Sequence, residues 1–396
     1  RAAATPPASP EGVPGATRVV RVRVRRPALV APFSPEPAPA SGLADPAARG
    51  SLRLLCLTWN MHGKEPPATV PELFAARPHA RFDVVVVGSQ EAERSIEKSI
   101  LMPSKAKWEA SLALTLGPGY VLVGTHTLAA LHVAVYVAAA LEPLVSGVRT
   151  ASVATGVANT LGNKGAVAVA MTVGVTTFAF VSCHLTAHQN RVKARNADLR
   201  RIEEALDLWP AGQGPGQAAL GARDAPGATA PGHRGPGAQR AARSALTDRF
   251  DRVFWLGDFN YRVNGNRSIV DKLLEPVGAE EARRAGLASP EEAARENLRV
   301  LLRNDQLRLQ MAAGAAFRGC LEGEIDFRPT YKFDSKRREE YDQSEKRRIP
   351  AWTDRVLHAE RPGAVRLHAY GAVTALTASD HRPVYADYSV AFHAGD

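Results

Sequence analysis

The stretch VFWLGDFN, residues 253–260, runs a short apolar segment straight into a carboxylate and an amide. Four apolar and aromatic residues closed by Gly-Asp are too few for a helix and fit a buried strand. Asp258 and Asn260 stand two residues apart, so on extended chain their side chains leave the same face. The pattern recurs. LRLLCLTW (52–59) ends at Asn60, FDVVVVG (82–88) at Gln90 and Glu91, and TTFAFVS (176–182) at His184, while TASDHRPV sets Asp380 and His381 just before a further strand. LHVAVYV (131–137) and AVAVAMTV (166–173) add two more apolar runs. Several are apolar on both faces, as strands packed between layers are.

An Asn or Asp after one strand is ordinarily a turn residue, because its side chain imitates a backbone turn. A single histidine is ordinarily a satisfied polar group. Five polar endings in one chain instead predict one sheet edge that collects carboxylates, amides and imidazoles, where rigid scaffolds carry chemistry. Helical signals sit between the strands. Val192, Leu199, Ile202 and Leu206 share a face, and Ser289-Pro290-Glu291-Glu292 is a helix start before Leu298, Leu301 and Leu302. The chain therefore reads as α/β, with one large domain at 51–392.

Two segments stand outside that pattern. Residues 1–50 read as a disordered, basic Pro/Ala-rich leader, although RVVRVRVRR (18–26) alternates enough for a short edge strand. Residues 210–245 read as a disordered Gly/Pro/Ala-rich insertion within the domain. The chain opens on Arg1, which fits a fragment or a processed product.

A 45% hydrophobic composition over 396 residues supports a substantial core, and a net charge of +10 favours polyanions: nucleic acid, anionic lipid headgroups or phosphorylated small molecules. Cys56, Cys183 and Cys320 lie far apart without paired metal spacing, which argues against a disulfide framework or a zinc site and points to a reducing, intracellular setting. No run reaches the ~18 apolar residues of a membrane span. A soluble chain whose membrane contact is peripheral is expected.

Carboxylate and amide oxygens without thiolates suit Mg²⁺, which is held by one or two carboxylates plus substrate phosphate. The predicted chemistry is therefore metal-assisted hydrolysis of a phosphate ester. Glu91 is the best ligand candidate, and Asp258 with Asn260 sets a base or ligand beside a neutral donor. His381, held by a carboxylate, could donate to phosphate and stabilise the transition state.

TWNMHGK, VGSQE, GNKGAVAV, SCHLTAH, WLGDFNYRV, RPTYKFD, RIPAWTDRVL and SDHRPV occur in the order found in inositol polyphosphate 5-phosphatases, and from about Leu52 to Phe392 the chain resembles that family of the DNase I-like superfamily. The resemblance implies a four-layer α/β/β/α sandwich with the site at one end of two packed sheets. It implies Glu91 and Asn60 at the Mg²⁺, Asp258 activating water, and Asn260 and His184 on the scissile phosphate. Asp380 would support the metal or the water, and Asp354 would orient His381. Tyr331 and Lys332, with Lys346 or Arg348, would take a 4-phosphate; Asn163 and Lys164 would face the phosphate linking ring to glycerol. Pro350 and Trp352 anchor the RIPAWTD loop, whereas Arg355 receives no role.

The implied activity is removal of the 5-phosphate from phosphoinositides such as PtdIns(4,5)P2 and PtdIns(3,4,5)P3, or from soluble inositol polyphosphates. The expected setting is cytoplasmic and peripheral to membranes, with phosphoinositide headgroups as partners, no nucleic acid, and a monomer. A nuclease shares the general site, but PTYK with K-x-R-x-P-A-W has no purpose there. A non-catalytic headgroup-binding module has no need of the complete acid, amide and imidazole set.

Overall fold

The structure, a computed structural model, describes residues 49–75, 80–92, 105–156, 163–208, 246–360 and 363–395. Of the predicted leader it includes only Arg49 and Gly50, and the insertion at 210–245 lies outside the described residues. Arg49, assigned to the leader, already belongs to the domain, since its guanidinium pairs with Asp83 at 2.9 Å.

Twelve strands are described: β1 Ser51–Asn60, β2 Val84–Gln90, β3 Tyr120–Leu128, β4 Leu131–Ala138, β5 Val145–Ala154, β6 Gly165–Val173, β7 Thr176–His184, β8 Arg252–Asp258, β9 Leu321–Glu322, β10 Asp354–Glu360, β11 Val365–Ala372 and β12 Val384–Ala391. They form two six-stranded sheets, ordered β11-β12-β1-β2-β4-β3 and β5-β6-β7-β8-β10-β9. Each of the six apolar runs lies in or overlaps a strand. Among the strands outside those runs, β3 and β5 are edge strands of the two sheets and are largely half-buried or exposed, so their sequences carry no continuous apolar signal.

Strand alternation divides the apolar side chains into three clusters. Leu54, Cys56, Val84, Val86 and Val135 of the first sheet face Val167, Val169, Phe180, Phe254 and Leu256 of the second. On the outer face of the first sheet, Leu55, Leu57, Trp59 and Val85 pack under Trp108 and Leu112 of the helix Ala106–Leu116. On the outer face of the second, Val181, Val253 and Trp255 pack with Leu199 and Ile202 of the helix Val192–Ala205, and with Leu307 of the helix Gln306–Ala312. Helix, sheet, sheet and helix are thus stacked, as the family resemblance implies. The second predicted helix runs Pro290–Arg303, with the Ser289 side chain accepting from the Glu292 amide at 3.2 Å.

Two strand pairs are parallel, β1 with β2 and β7 with β8, one in each sheet. Their last residues are in register, Asn60 opposite Gln90 and His184 opposite Asp258, and antiparallel β10 brings Asp354 opposite Asp258. The polar endings read from the sequence therefore gather at one end of the sandwich. The sheets press together there. A Cβ on Gly88 of β2 would stand 2.6 Å from Ser182 Oγ and 2.9 Å from Leu256 Cδ1, both on the facing sheet. Gly88→Ala must push the sheets apart or displace those side chains, and it is expected to cost about 1–3 kcal/mol, measured by urea unfolding.

Candidate active site

Asp258 ends β8, and the chain then turns through Asn260, whose φ of 58° places it in the left-handed region that Asn tolerates better than most residues. The Asn260 amide N–H donates to Asp258 Oδ1 at 3.0 Å, and the Asn60 side chain donates to Asp258 Oδ2 at 3.1 Å. His184 Nε2 is 3.3 Å from the same oxygen. Burial opposes ionisation of Asp258, but the positive charges of His381 and Lys164, with the donors on Asn60 and Asn260, outweigh it and hold the carboxyl well below the usual carboxylate range. Asp258 is a buried anion.

Lys164 Nζ lies 2.5 Å from His184 Nε2. Burial and this neighbouring cation lower the His184 imidazole, so it is neutral. A nitrogen that accepts from the ammonium does not also donate to Asp258, whose hydrogen bonds come from Asn60 and Asn260. His184 Nδ1 is buried without a partner among the described residues.

His381 donates from Nδ1 to Asp354 Oδ2 at 2.9 Å. The same oxygen accepts from the hydroxyls of Thr330 and Thr353, both at 2.9 Å. Burial raises Asp354, yet an oxygen that accepts from three groups is a carboxylate oxygen. Burial also opposes charge on His381, but Asp354, with Asp258 and Asp380 nearby, outweighs it and raises the imidazole to about 10. His381 is therefore an imidazolium at neutral pH, oriented by Asp354 as the resemblance implies.

Asp380 meets Lys332 at 3.0 Å and His62 at 3.4 Å. Burial opposes its ionisation, while His381, His62 and Lys332 lower it overall. Glu91, with φ at 50°, begins the turn after β2, and the His62 ring nitrogen is 3.9 Å from its carboxylate. The Tyr331 ring lies 4.5 Å from the His381 ring. Asp342 links this segment to the RIPAWTD loop: its amide donates to the Lys332 carbonyl at 2.8 Å, and its carboxylate accepts the Arg348 amide at 2.9 Å. Arg348 is half-buried and Lys346 exposed. Asn163 is half-buried just before Lys164, and its Oδ1 has no partner among the described residues.

Sequence reasoning missed Arg262. Its Nη2 donates to Asn260 Oδ1 at 2.5 Å and its Nε to the Asn260 carbonyl at 3.0 Å, while Asn260 Nδ2 donates to the Leu185 carbonyl at 3.0 Å. Both ends of the Asn260 amide are fixed, with one amide hydrogen left over. The guanidinium lies 4.5 Å from the Tyr331 ring centroid. Asp258 and Asn260 drew attention as a pair. The arginine two residues further along shares their spacing and could have been read the same way. His62 was also missed, because its role depends on Asp380, more than three hundred residues away in the chain.

Arg355, which had no role, is fully buried and pairs with Glu322 at 2.5 Å and with Asp305 at 3.0 Å. It also donates to the Trp352 carbonyl at 3.2 Å, so it pins the loop that carries Asp354.

Asp258, Asp354 and His381 present possible ligand atoms within 4.8 Å of one another. Asp354 Oδ2 is already satisfied three times, so this trio is a proton-bonded cluster and not a cation nest. Glu91 and Asp380 both approach His62, at 3.9 and 3.4 Å, and Asn60 reaches Asp258.

Residues 57–387 match the family model described as endonuclease/exonuclease/phosphatase family 2. The chain belongs to that family. It is 32% identical over 348 residues to phosphatidylinositol polyphosphate 5-phosphatase type IV of Homo sapiens, covering 87% of this chain and 47% of the relative. The chain spans about half the length of the curated relatives it matches first. Among solved structures it is similar to the inositol polyphosphate 5-phosphatase domain of SpSynaptojanin in complex with inositol (1,4)-bisphosphate and calcium ion, with 27% identity, a TM-score of 0.65, and coverage of 86% of this chain and 84% of that one. The 5-phosphatase resemblance and the DNase I-like fold read from the motifs are borne out by these matches. Cimex nitrophorin in a ferrous NO complex shares the fold at 19% identity and a TM-score of 0.58, covering 87% of this chain and 99% of that one. Fold alone therefore does not fix chemistry in this architecture.

Two outcomes are expected. Arg355→Met leaves Asp305 and Glu322 buried without their cation and should cost about 3–5 kcal/mol, read by chemical denaturation. His381 contributes stability through a pKa raised above the unfolded value of about 6.5; this contribution is complete below that pH and is lost as pH rises through about 10. The stability gap between the unaltered chain and His381→Asn should accordingly be widest at acid to neutral pH and narrow in alkali. A gap that stays constant across pH 6 to 10 would reject the buried imidazolium.

Proposed function

We propose that this chain removes the 5-phosphate from phosphoinositide headgroups, such as those of PtdIns(4,5)P2 and PtdIns(3,4,5)P3, and from soluble inositol polyphosphates, in the presence of Mg²⁺. The observation that carries this reading is the buried anion Asp258 set beside the Asp354–His381 ion pair, at the end of a sandwich built like that of a 5-phosphatase domain.

Glu91 and Asn60 would hold the Mg²⁺, with Asp380 in support. When bound, the ion supplies positive charge against the phosphoryl oxygens. Asp258 orients the attacking water and takes its proton. Water oxygen bonds to phosphorus as the bond to the ring oxygen breaks. The departing oxygen takes a proton from solvent, to which Asp258 releases its own, so the products are the ring alcohol and inorganic phosphate. His381, an imidazolium locked by Asp354, donates toward the charge that develops. Asn260 offers its remaining amide hydrogen to the phosphate, and His184 lies beside it.

Tyr331 and Lys332, tied through Asp342 to the segment of Arg348 and Lys346, are suited to a 4-phosphate, which needs convergent cations. Asn163 and Lys164 face the linking phosphate in this reading. The net charge of +10 supports peripheral contact with anionic lipid, and no helix among the described residues is long and apolar enough to cross a membrane. The protein would act as a cytoplasmic monomer, on headgroups and not on nucleic acid.

The test is phosphate release from 5-phosphorylated inositides with and without Mg²⁺, beside plasmid DNA under the same conditions. Release from the inositides alone is expected, faster from a 4,5-bisphosphate headgroup than from a 5-monophosphate. Asp258→Ala should reduce release by at least about 10³-fold with the fold intact, read by circular dichroism. Undiminished turnover in that variant, or cleavage of DNA alone, would sink the assignment.

A further inference from the structure

β11, Val365–Ala372, is an edge strand of the first sheet, and among the described strands only β12 pairs with it. An edge of this kind presents backbone donors and acceptors to any extended chain that reaches it. Here the edge is also the wall of a cavity. Residues 367–372 line one side of a space of about 540 Å³, and Glu324, Asp326 and Phe327, from the segment after β9, line the other. A groove that runs along a strand edge is the shape an added extended chain fills.

The groove is acidic in a basic molecule. Glu324 and Asp326 are exposed, and among the described residues neither meets a cation. His368, also in the lining, is engaged with Ser389 Oγ at 2.7 Å. The matching chemistry is a basic extended segment, and this chain carries one. RVVRVRVRR, residues 18–26, lies outside the described residues; in it Arg21, Arg23 and Arg25 alternate with Val20, Val22 and Val24, so an extended backbone sends cations to one side and apolar groups to the other. The two walls differ in the same sense. The acids follow β9 of the second sheet, whereas Tyr385, which also lines the groove, packs on the outer face of the first sheet.

The described chain enters beside this groove. The Gly50 carbonyl accepts from the Phe392 amide at 3.1 Å and the Ala364 carbonyl from the Ala391 amide at 2.7 Å, so the entry to β1 and the start of β11 flank the end of β12. Two strand spacings separate them, ~10 Å. Residues 27–48, at ~3.3 Å each when extended, cover that distance several times over.

We propose that residues 18–26 occupy this groove, with their backbone along the free edge of β11, the arginines toward Glu324 and Asp326 and the valines toward Tyr385. The contact involves no residue of the active site, so it stands or falls apart from the phosphatase reading. Charge complementarity sets the direction in which the segment faces, and the backbone edge supplies the hydrogen bonds.

Amide hydrogen exchange on the full chain tests this. The β11 amides that face the groove should exchange at least about 10-fold more slowly in the unaltered chain than in one carrying Arg21→Glu, Arg23→Glu and Arg25→Glu. Glu324→Arg with Asp326→Arg should bring the same loss, and the two sets combined should restore protection. Should either set disturb the fold, the other reads the same contact from the opposite side. Equal exchange in the unaltered chain and both variants overturns the proposal. Protection that disappears on dilution overturns it too, because a second copy would then supply the segment.

Discussion

The approach of two sheets at Gly88 is the constraint on which the site depends. With no side chain at that position, β2 can lie against Ser182 and Leu256 of the facing sheet. Gln90, two residues on, then donates across the gap to Ser182 Oγ at 3.2 Å. Two parallel strand pairs from different sheets consequently end side by side, and Asn60, which ends β1 in one sheet, reaches Asp258 in the other at 3.1 Å. A thicker residue at 88 would separate the halves of the site, because Asn60, Gln90 and Glu91 come from one sheet and His184, Asp258 and Asp354 from the other.

The electrostatics follow from that closeness. Buried carboxylates at Asp258 and Asp354 are tolerable only because each is met by several donors, and His381 keeps its proton because both are near. Removing charges from water makes these interactions stronger than they would be at a surface. The same burial leaves two cations, Lys164 and Arg262, held mainly by neutral acceptors: an imidazole for the first, and the carbonyl and amide oxygens of Asn260 for the second.

Neighbouring structures show why the fold is insufficient evidence. Cimex nitrophorin shares the architecture at 19% identity, so the four layers describe a scaffold and the side chains at its end describe a chemistry. The functional reading here comes from Asp258, Asp354, His381 and their partners.

Much of this was legible in the chain. Buried strands such as VFWLG and AVAVAMTV declare themselves by short continuous apolar runs, and the polar residue after each run marks where the sheet ends. The order of the motifs then pointed to a 5-phosphatase-like sandwich. Edge strands β3 and β5 were silent because one side of each is half-open to water, which removes the apolar signal. Arg355 was illegible because its meaning lies in Glu322 and Asp305, which only folding places beside it. Nor did the motif show that the close approach of β5 at Gly165 carries the Lys164 ammonium to His184. The sequence by itself determined the buried strands and the kinds of groups at the site, since these follow from local periodicity and residue chemistry, and the layers came from the order of the motifs. Only the tertiary structure decided which charge meets which, because burial and distance, set by the packing of two sheets, govern protonation and pairing.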